Sequence, residues 1–443
     1  MLRTMLMLTI AVAMSLAGVA GMAEEPAKPV DEYELLKLFA DTLDQVERNY
    51  VKEVDRRELM EAAIRGMLSK LDPYSNYIPP SELYSFKTGI ENEFGGVGLQ
   101  VSAESGELKV ISPIFNTPAH RAGIVAGDVI ESIDGASAKG MTISDAVSRM
   151  KGKVGLAVAV AIRHADGTTE TYQLNREIVR VETVVGDHRN ADATWSFWLD
   201  EDRKIAYVRL TGFGRHTMAD LKKAMQAIGD AKVKALVLDL RNNPGGLLSA
   251  AIEIADLFVV QGRIVSTSGR NVPEQAWEAK AEGTYGDFPM TVLVNRYSAS
   301  ASEIVSACLQ DLDRAVVVGE RTWGKGSVQN IIELEGGKSA LKLTTAGYKR
   351  PSGRNIHKFE GVKDEDDWGV RPNSGYEVKL PDEALRAIFQ ARQQRDVIRK
   401  LKPDEPPAEL APIDDPQLHK ALEYLRDKIG DPLPAPPEPP AAG

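Results

Sequence analysis

Residues 290–329 read MTVLVNRYSASASEIVSACLQDLDRAVVVGERTWGKGSVQ. An apolar run, MTVLVN, breaks into the small-residue string SASAS at 298–302, and a second apolar run, AVVVGE, leads into TWGKGSVQ at 322–329. Ser300 and Lys325 are 25 residues apart. One helix, one strand and a turn fit in that interval and bring the two side chains together. The pair reads as a serine nucleophile and a lysine general base, with Gln329 four residues further on.

The same alternation extends upstream. The strings IAYVRL (205–210), ALVLDL (235–240), TVLVN (291–295) and AVVVG (315–319) are separated by helical patterns near 217–230, 247–259 and 301–312. Near-continuous apolar strands between amphipathic helices predict a parallel sheet covered on both faces. Residues 340–381 are expected to add two strands around the turn RPSG at 350–353, and residues 383–428 two charged helices separated by a Pro-rich link. Residues 431–443 read as a disordered Pro/Ala tail.

Residues 95–182 change character, with short apolar alternations separated by Gly and Asp turns and one helix near 142–151. The string GGVG at 95–98 fails as a phosphate loop, because it leads into a strand at 97–101 and not into a helix. Between residues 31 and 69, apolar positions such as Leu35, Leu36, Phe39, Leu43 and Val46 recur at helical spacing and predict two amphipathic helices. Their apolar stripes read as core or as a dimer face.

A chain of 443 residues exceeds one ordinary core and predicts two to four domains. Residues 1–23 carry Arg3, an apolar stretch over 5–20, and Gly21 and Ala23 at the positions favoured before a cleavage site. This is the pattern of a secretory signal, with a retained membrane anchor as the alternative. No other stretch approaches the roughly 18 apolar residues that span a bilayer. Cys308 is the single cysteine, so no intramolecular disulfide forms, and the −10 net charge argues against nucleic acid as a partner. The six histidines form no metal-spaced pair, and neither a metal nor a cofactor is expected.

A serine hydroxyl needs a neighbouring base, and histidine is the usual one. None lies between the central strands and Ser300, and the GxSxG elbow is absent. A lysine whose pKa is lowered by burial can replace it, and Lys325 between Gly324 and Gly326 can turn inward. The competing reading makes Lys325 an exposed turn residue. Ser300 has its own alternative, since Ser300 and Glu303 match a helix capping box. A helix start also offers free N–H groups to a developing oxyanion. Ala301 is one candidate donor, and Gly245 or Gly246, where a strand ends and a helix begins, is the second. Cys308 lies in apolar surroundings and reads as a core thiol.

Residues 95–182 resemble a PDZ domain. The resemblance rests on the glycine loop, on PAHRAGI at 118–124, and on GDVI at 127–130 followed by IDG at 133–135. It implies that Gly95, Gly96, Val97, Gly98 and Leu99 offer backbone N–H groups to a peptide C-terminus, which then adds as a strand. The larger set resembles the carboxy-terminal processing proteases: LRNNPGG at 240–246, SASASEI at 298–304, GERT at 319–322, GKG at 324–326 with Gln329, and PSGR at 351–354. The match covers roughly residues 31–381. It implies a helical N-terminal domain 31–90, PDZ domain 95–182 and crotonase-like parallel-sheet peptidase core 183–382, and with the readings above of a signal peptide 1–23, C-terminal helices 383–430 and tail 431–443 the chain is expected to be a multidomain α/β protein.

By that resemblance Ser300 is the nucleophile, Lys325 the base and Gln329 the residue that orients the lysine. Gly246, Gly245 and Ala301 supply the oxyanion N–H groups. The implied activity is cleavage near protein C-termini captured by the PDZ domain, in an exported and most simply periplasmic enzyme at or near the membrane surface. A homo-oligomer and an adaptor protein are the implied partners. One departure stands out: where family members often carry Arg-Gly after the module's helix, this chain has Lys151-Gly152. Lysine lacks the bidentate fork of arginine, so coupling between module and core is expected to differ. The competing functions are a non-catalytic peptide-binding scaffold and a Ser-His-Asp hydrolase that recruits His357.

Overall fold

The computed structural model describes residues 31–398 and 411–431. The predicted signal segment and residues 432–443 of the predicted tail lie outside the described residues. The described residues divide into two compact units, one up to residue 70 and one from residue 71. In the first, α1 (Glu32–Asn49) starts where the Asp31 carboxylate accepts the Tyr33 N–H, and α2 (Arg56–Leu68) where Asp55 accepts that of Glu58. Each Asp satisfies one of the N–H groups that a helix start leaves without a partner.

The second unit opens with β1 (Asn76–Ile78) and α3 (Pro80–Glu91), then β2 (Glu93–Gly96). A small antiparallel sheet follows, built from β3 (Leu99–Glu104), β4 (Glu107–Pro113), β5 (Val129–Ile133), β6 (Ala157–Arg163) and β7 (Thr169–Asn175) in that spatial order. Helix α4 (Ile143–Met150) packs against β3 and β5, and Val110, Ile130, Ile133, Ala146, Val160 and Ile162 form a separate small core. β3 ends the sheet, so one of its edges is unpaired among the described residues. The module joins the rest of the unit through a two-stranded ribbon of β2 with β8 (Glu177–Arg180).

The larger core runs β9 (Ile205–Leu210), α5 (Thr217–Asp230), β10 (Ala235–Asp239), α6 (Leu248–Asp256), β11 (Arg263–Gly269), β12 (Val272–Glu278), β13 (Met290–Val294), α7 (Ala301–Asp311), β14 (Val316–Gly319), β15 (Ser327–Leu334) and β16 (Ser339–Lys349), then α8 (Asp382–Asp396) and α9 (Pro416–Lys428). Strands β9, β10, β13 and β14 are parallel neighbours in sequence order. Because side chains alternate along a strand, Val208, Leu238 and Val292 meet the crossover helices α5, α6 and α7 on one face. Tyr207, Val237 and Leu293 meet Leu418, Ala421 and Leu425 of α9 on the other. Every residue of β9, β10 and β13 is therefore buried, as the apolar runs require. The C-terminal helix is part of this core. Each large side chain that it buries, such as Leu425, contributes roughly 1.5–3 kcal/mol.

A second sheet, in the order β1-β16-β11-β12 with β15 beside β16, lies next to the first. Here the expected strand pair around residues 350–353 is corrected. The first expected strand is β16, which pairs instead with β15, and after the turn only isolated bridges, Lys349 with Asn355 and Gly319 with Glu377, continue among the described residues. The turn is pinned to the end of α7, where the buried Arg350 guanidinium lies 2.6 Å from Asp311. Beyond it, the His357 N–H goes to the Asn355 side chain and the Gly369 N–H to the Ile356 carbonyl, so no ladder forms.

Candidate active site

The parallel strands end at two loops that are sewn together. After β10, Asn243 donates its amide to the Leu210 carbonyl at 2.8 Å, and its own carbonyl accepts the Ala299 N–H at 3.0 Å and the Ser302 hydroxyl at 2.9 Å. Asn242 and Asn295 exchange two hydrogen bonds of 3.0 Å, and the Ser298 hydroxyl donates to the Leu240 carbonyl. Three asparagines and two serines thus join the 240–246 loop to the 295–302 loop, and these five contacts are invisible in sequence order.

Ser300 sits at the joint with φ of +58° and ψ of −115°. A non-glycine residue holds positive φ only when its surroundings impose it, at a cost of order 1–3 kcal/mol. What imposes it is Glu303, wholly buried one turn into α7. One carboxylate oxygen accepts the N–H groups of Ser300 and Lys325, each at 2.8 Å. The other accepts the Gly324 N–H and the Thr322 hydroxyl, each at 2.6 Å. The capping-box spacing is present and its Glu303 half is made, but the same carboxylate also holds the lysine loop. Burial raises the Glu303 pKa against the pull of these four donors.

The Ser300 hydroxyl lies 2.9 Å from the Tyr348 hydroxyl. With Lys325, Gln329, Gly245, Gly246 and Ala301 it lines one cleft of about 500 Å³, roofed by Phe86 and Gly89 of α3 and walled by β15 and Lys342. Lys325 is partly buried, and its ammonium lies 5.1 Å from the centre of the Tyr74 ring. Burial first, then the charge of Lys342, lower its pKa, and Glu303 opposes them. Gln329 donates its amide to Ser327 Oγ at 2.9 Å and Thr344 Oγ1 at 3.2 Å, which fixes the side chain and leaves its amide oxygen as the acceptor. Among the described residues no hydrogen bond joins Lys325 Nζ to Ser300 or to Gln329.

The two glycines differ. The Gly245 N–H is held by Asn243 Oδ1 at 2.9 Å, which corrects its assignment as an oxyanion donor. Its role is steric, since a Cβ there would lie 2.7 Å from Ser300 Cβ. Gly246 and Ala301 have N–H groups with no partner among the described residues. Gly246, at φ +151°, presses so close to Phe213 that a Cβ would meet its carbonyl oxygen at 2.2 Å. His357 contacts Tyr74 and Phe359, its Nδ1 is buried without a partner, and no hydrogen bond among the described residues joins it to Ser300. Cys308 is buried and its thiol is pushed up to about 12 by that burial, which removes it as a nucleophile.

Residues 204–367 match the family model of peptidase family S41, residues 95–175 a PDZ domain, and residues 8–80 the N-terminal domain of the activating protease CtpB. The carboxy-terminal-processing protease of Bartonella bacilliformis is 37% identical over 90% of this chain and 89% of its own. The chain belongs to the carboxy-terminal processing proteases, the serine proteases of peptidase family S41. Two further members are each 34% identical: the processing protease CtpA of Bacillus subtilis, over 72% of this chain and 66% of its own, and that of Synechocystis, over 71% and 73%. The multidomain α/β architecture with a PDZ module is the one expected.

In this processing protease the glycine loop of the PDZ module is shorter than the string suggested. Gly95 and Gly96 belong to β2 and pair with Ile178 and Glu177 of β8, because the ribbon that carries the module needs those backbones. Val97 and Gly98 keep N–H groups without a partner among the described residues, and Leu99 begins the open-edged strand β3. Lys151 places its ammonium 4.3 Å from the centre of the Phe94 ring on that ribbon. Where a guanidinium would fork, this lysine makes a cation–π contact with the ribbon. Around the ribbon, Glu93 of β2 meets His216 at 2.8 Å, Arg180 of β8 meets Asp220 of α5 at 3.0 Å and Glu91 of α3 meets Arg215, so the ribbon and the end of α3 are tied to the segment that follows Phe213.

Proposed function

We propose that this protein is an exported endopeptidase that holds a protein's C-terminal tail in its PDZ module and cleaves the chain nearby by serine–lysine chemistry. The observation that carries this reading is the gathering of Ser300, Lys325, Gln329 and two unpartnered N–H groups around one cleft. The neutral Lys325 amine takes the Ser300 proton as Oγ attacks the scissile carbonyl, and a lowered lysine pKa makes that form available. The Gly246 and Ala301 N–H groups receive the oxyanion. Lys325 passes its proton to the leaving amine, water then attacks the acyl-enzyme, and the lysine serves again as base. The Gln329 amide oxygen accepts from Lys325 and holds it towards Ser300.

Tail capture is supported by the unpaired β3 edge beside α4 and by the free N–H groups of Val97 and Gly98. A carboxylate at those groups and a strand added to that edge make one continuous site. Export to the periplasm rests on the composition of residues 1–23, and assembly into a homo-oligomer on the exposed Tyr33, Leu35, Leu36 and Leu38 of α1. The test uses one carrier protein with an apolar C-terminal tail, free or amidated. Wild type should cleave the free tail fastest, the amidated one slowly, and Ser300→Ala neither. Cleavage by Ser300→Ala, or equal rates with both tails, would contradict the reading.

A further inference from the structure

Tyr348 touches both reacting loops from β16. Its hydroxyl lies 2.9 Å from Ser300 Oγ, and its N–H donates to the Gly326 carbonyl, one residue past Lys325, at 2.9 Å. The ring is buried in the main core, so this hydroxyl stays where it is. We infer that Tyr348 is a third catalytic residue, whose hydroxyl donates to Ser300 Oγ and carries part of its charge when the acyl-enzyme breaks down. The inference rests on the serine–lysine reading above.

The donor is settled by chemistry. If the serine proton is to reach Lys325, the serine O–H is committed to the amine, and the phenol must donate into an Oγ lone pair. Burial raises the Tyr348 pKa, which keeps the phenol protonated at working pH. During acylation this bond has opposed effects: it aims Oγ but draws electron density from the attacking atom. Deacylation has no such conflict. Water adds to the acyl carbon and gives its proton to Lys325. The carbon–Oγ bond then breaks, its electron pair goes to Oγ, and the Lys325 ammonium returns a proton to give serine and a free carboxylic acid. The Tyr348 hydrogen bond favours that departure at every point.

Tyr348→Phe removes one oxygen and keeps the ring. It should lower kcat about 10- to 100-fold, less than the loss of an oxyanion-hole donor because Lys325 shares the charge. Three measurements on the full chain separate the steps. Labelling of Ser300 by a fluorophosphonate should stay within threefold of wild type. With an apolar peptide p-nitrophenyl ester, the variant should give a burst near one equivalent followed by slow turnover. Intact mass should show the acyl-enzyme accumulating. A kcat within twofold of wild type, or parallel losses of labelling and turnover with no burst, would overturn the inference. Should Tyr348→Phe fail to fold by thermal melting, 3-fluorotyrosine at position 348 decides: the stronger donor should speed deacylation, and no gain overturns the idea. If wild type takes no label at Ser300, the serine–lysine reading itself fails, which is a separate result.

Discussion

Glu303→Gln tests the internal wiring of the site. The carboxylate accepts four donors, two on each oxygen, whereas a glutamine offers one oxygen and one NH2. If the amide oxygen takes the Ser300 and Lys325 N–H groups, the NH2 faces the Gly324 N–H, and the Thr322 hydroxyl can turn to accept. One buried N–H is then orphaned, at roughly 1–3 kcal/mol. Reversing the amide orphans two. A second effect has the opposite sign. Because the folded pKa of Glu303 is raised, its contribution to stability is full below the unfolded value and is lost as pH rises through the folded one, so the buried charge, wherever it is present, weighs against the fold. A neutral amide relieves that, so the net loss should fall at the low end, about 1 kcal/mol, a shift of a few degrees in Tm. Activity should suffer more, because the same four bonds set the spacing of Ser300 and Lys325, and a 1 Å misplacement can cost about 100-fold. The expected result is kcat down about 100-fold, KM little changed and Tm nearly kept, from steady-state cleavage of a tailed protein beside calorimetry. A kcat/KM within threefold of wild type would refute the role given to Glu303.

Gly246→Ala should reduce kcat by about 10²–10³ with the fold retained, because the added Cβ forces the backbone off Phe213 and moves an oxyanion N–H; paired kcat and Tm measurements check it. Lys342→Gln removes a positive charge that lowers the Lys325 pKa, leaving burial and the opposing charge of Glu303. The acidic limb of kcat/KM should therefore move to higher pH, and a limb that stays or moves down would contradict the assignment. Asp415→Asn cuts half of the support of Arg241, whose guanidinium lies 2.7 Å from Asp239 and 2.8 Å from Asp415, all three buried. Denaturant unfolding should show a loss towards the low end of the roughly 3–5 kcal/mol of a broken buried pair, since Asp239 remains, and kcat should fall because Arg241 begins the loop that ends at Gly246.

The parallel sheet was legible because strands buried on both faces must be apolar throughout, and IAYVRL, ALVLDL and MTVLV are. The region of Ser300 and Lys325 was legible because small residues cluster where backbones approach closely. What escaped depends on side chains that meet only in the fold. Glu303 read as a helix cap, since three of its donors come from residues 322, 324 and 325. Tyr348 lies 48 residues beyond Ser300 in an unremarkable strand, and Asp415 reaches Arg241 across 174 residues. Which glycine keeps a free N–H turned on the Asn243 side chain, which a loop string does not specify. The missed strand β15 carries Gln329 beside polar Ser327 and Asn330, so its alternation is weak. The strand expected after residue 353 failed because ion pairs, side-chain hydrogen bonds and scattered backbone hydrogen bonds, not a ladder, hold that segment.

The central claim is that a neutral lysine, and no histidine, activates Ser300. The most direct measurement is the pH profile of kcat/KM for wild type beside Lys325→Arg and His357→Gln. Wild-type activity should rise with pH to a limb below lysine's usual 10.5, since the Lys325 pKa is lowered. Lys325→Arg should be inactive at every pH, because a guanidinium stays protonated, and His357→Gln should keep the wild-type profile. Normal cleavage by Lys325→Arg, or a loss in His357→Gln as deep as that of Ser300→Ala without unfolding, would contradict the serine–lysine account.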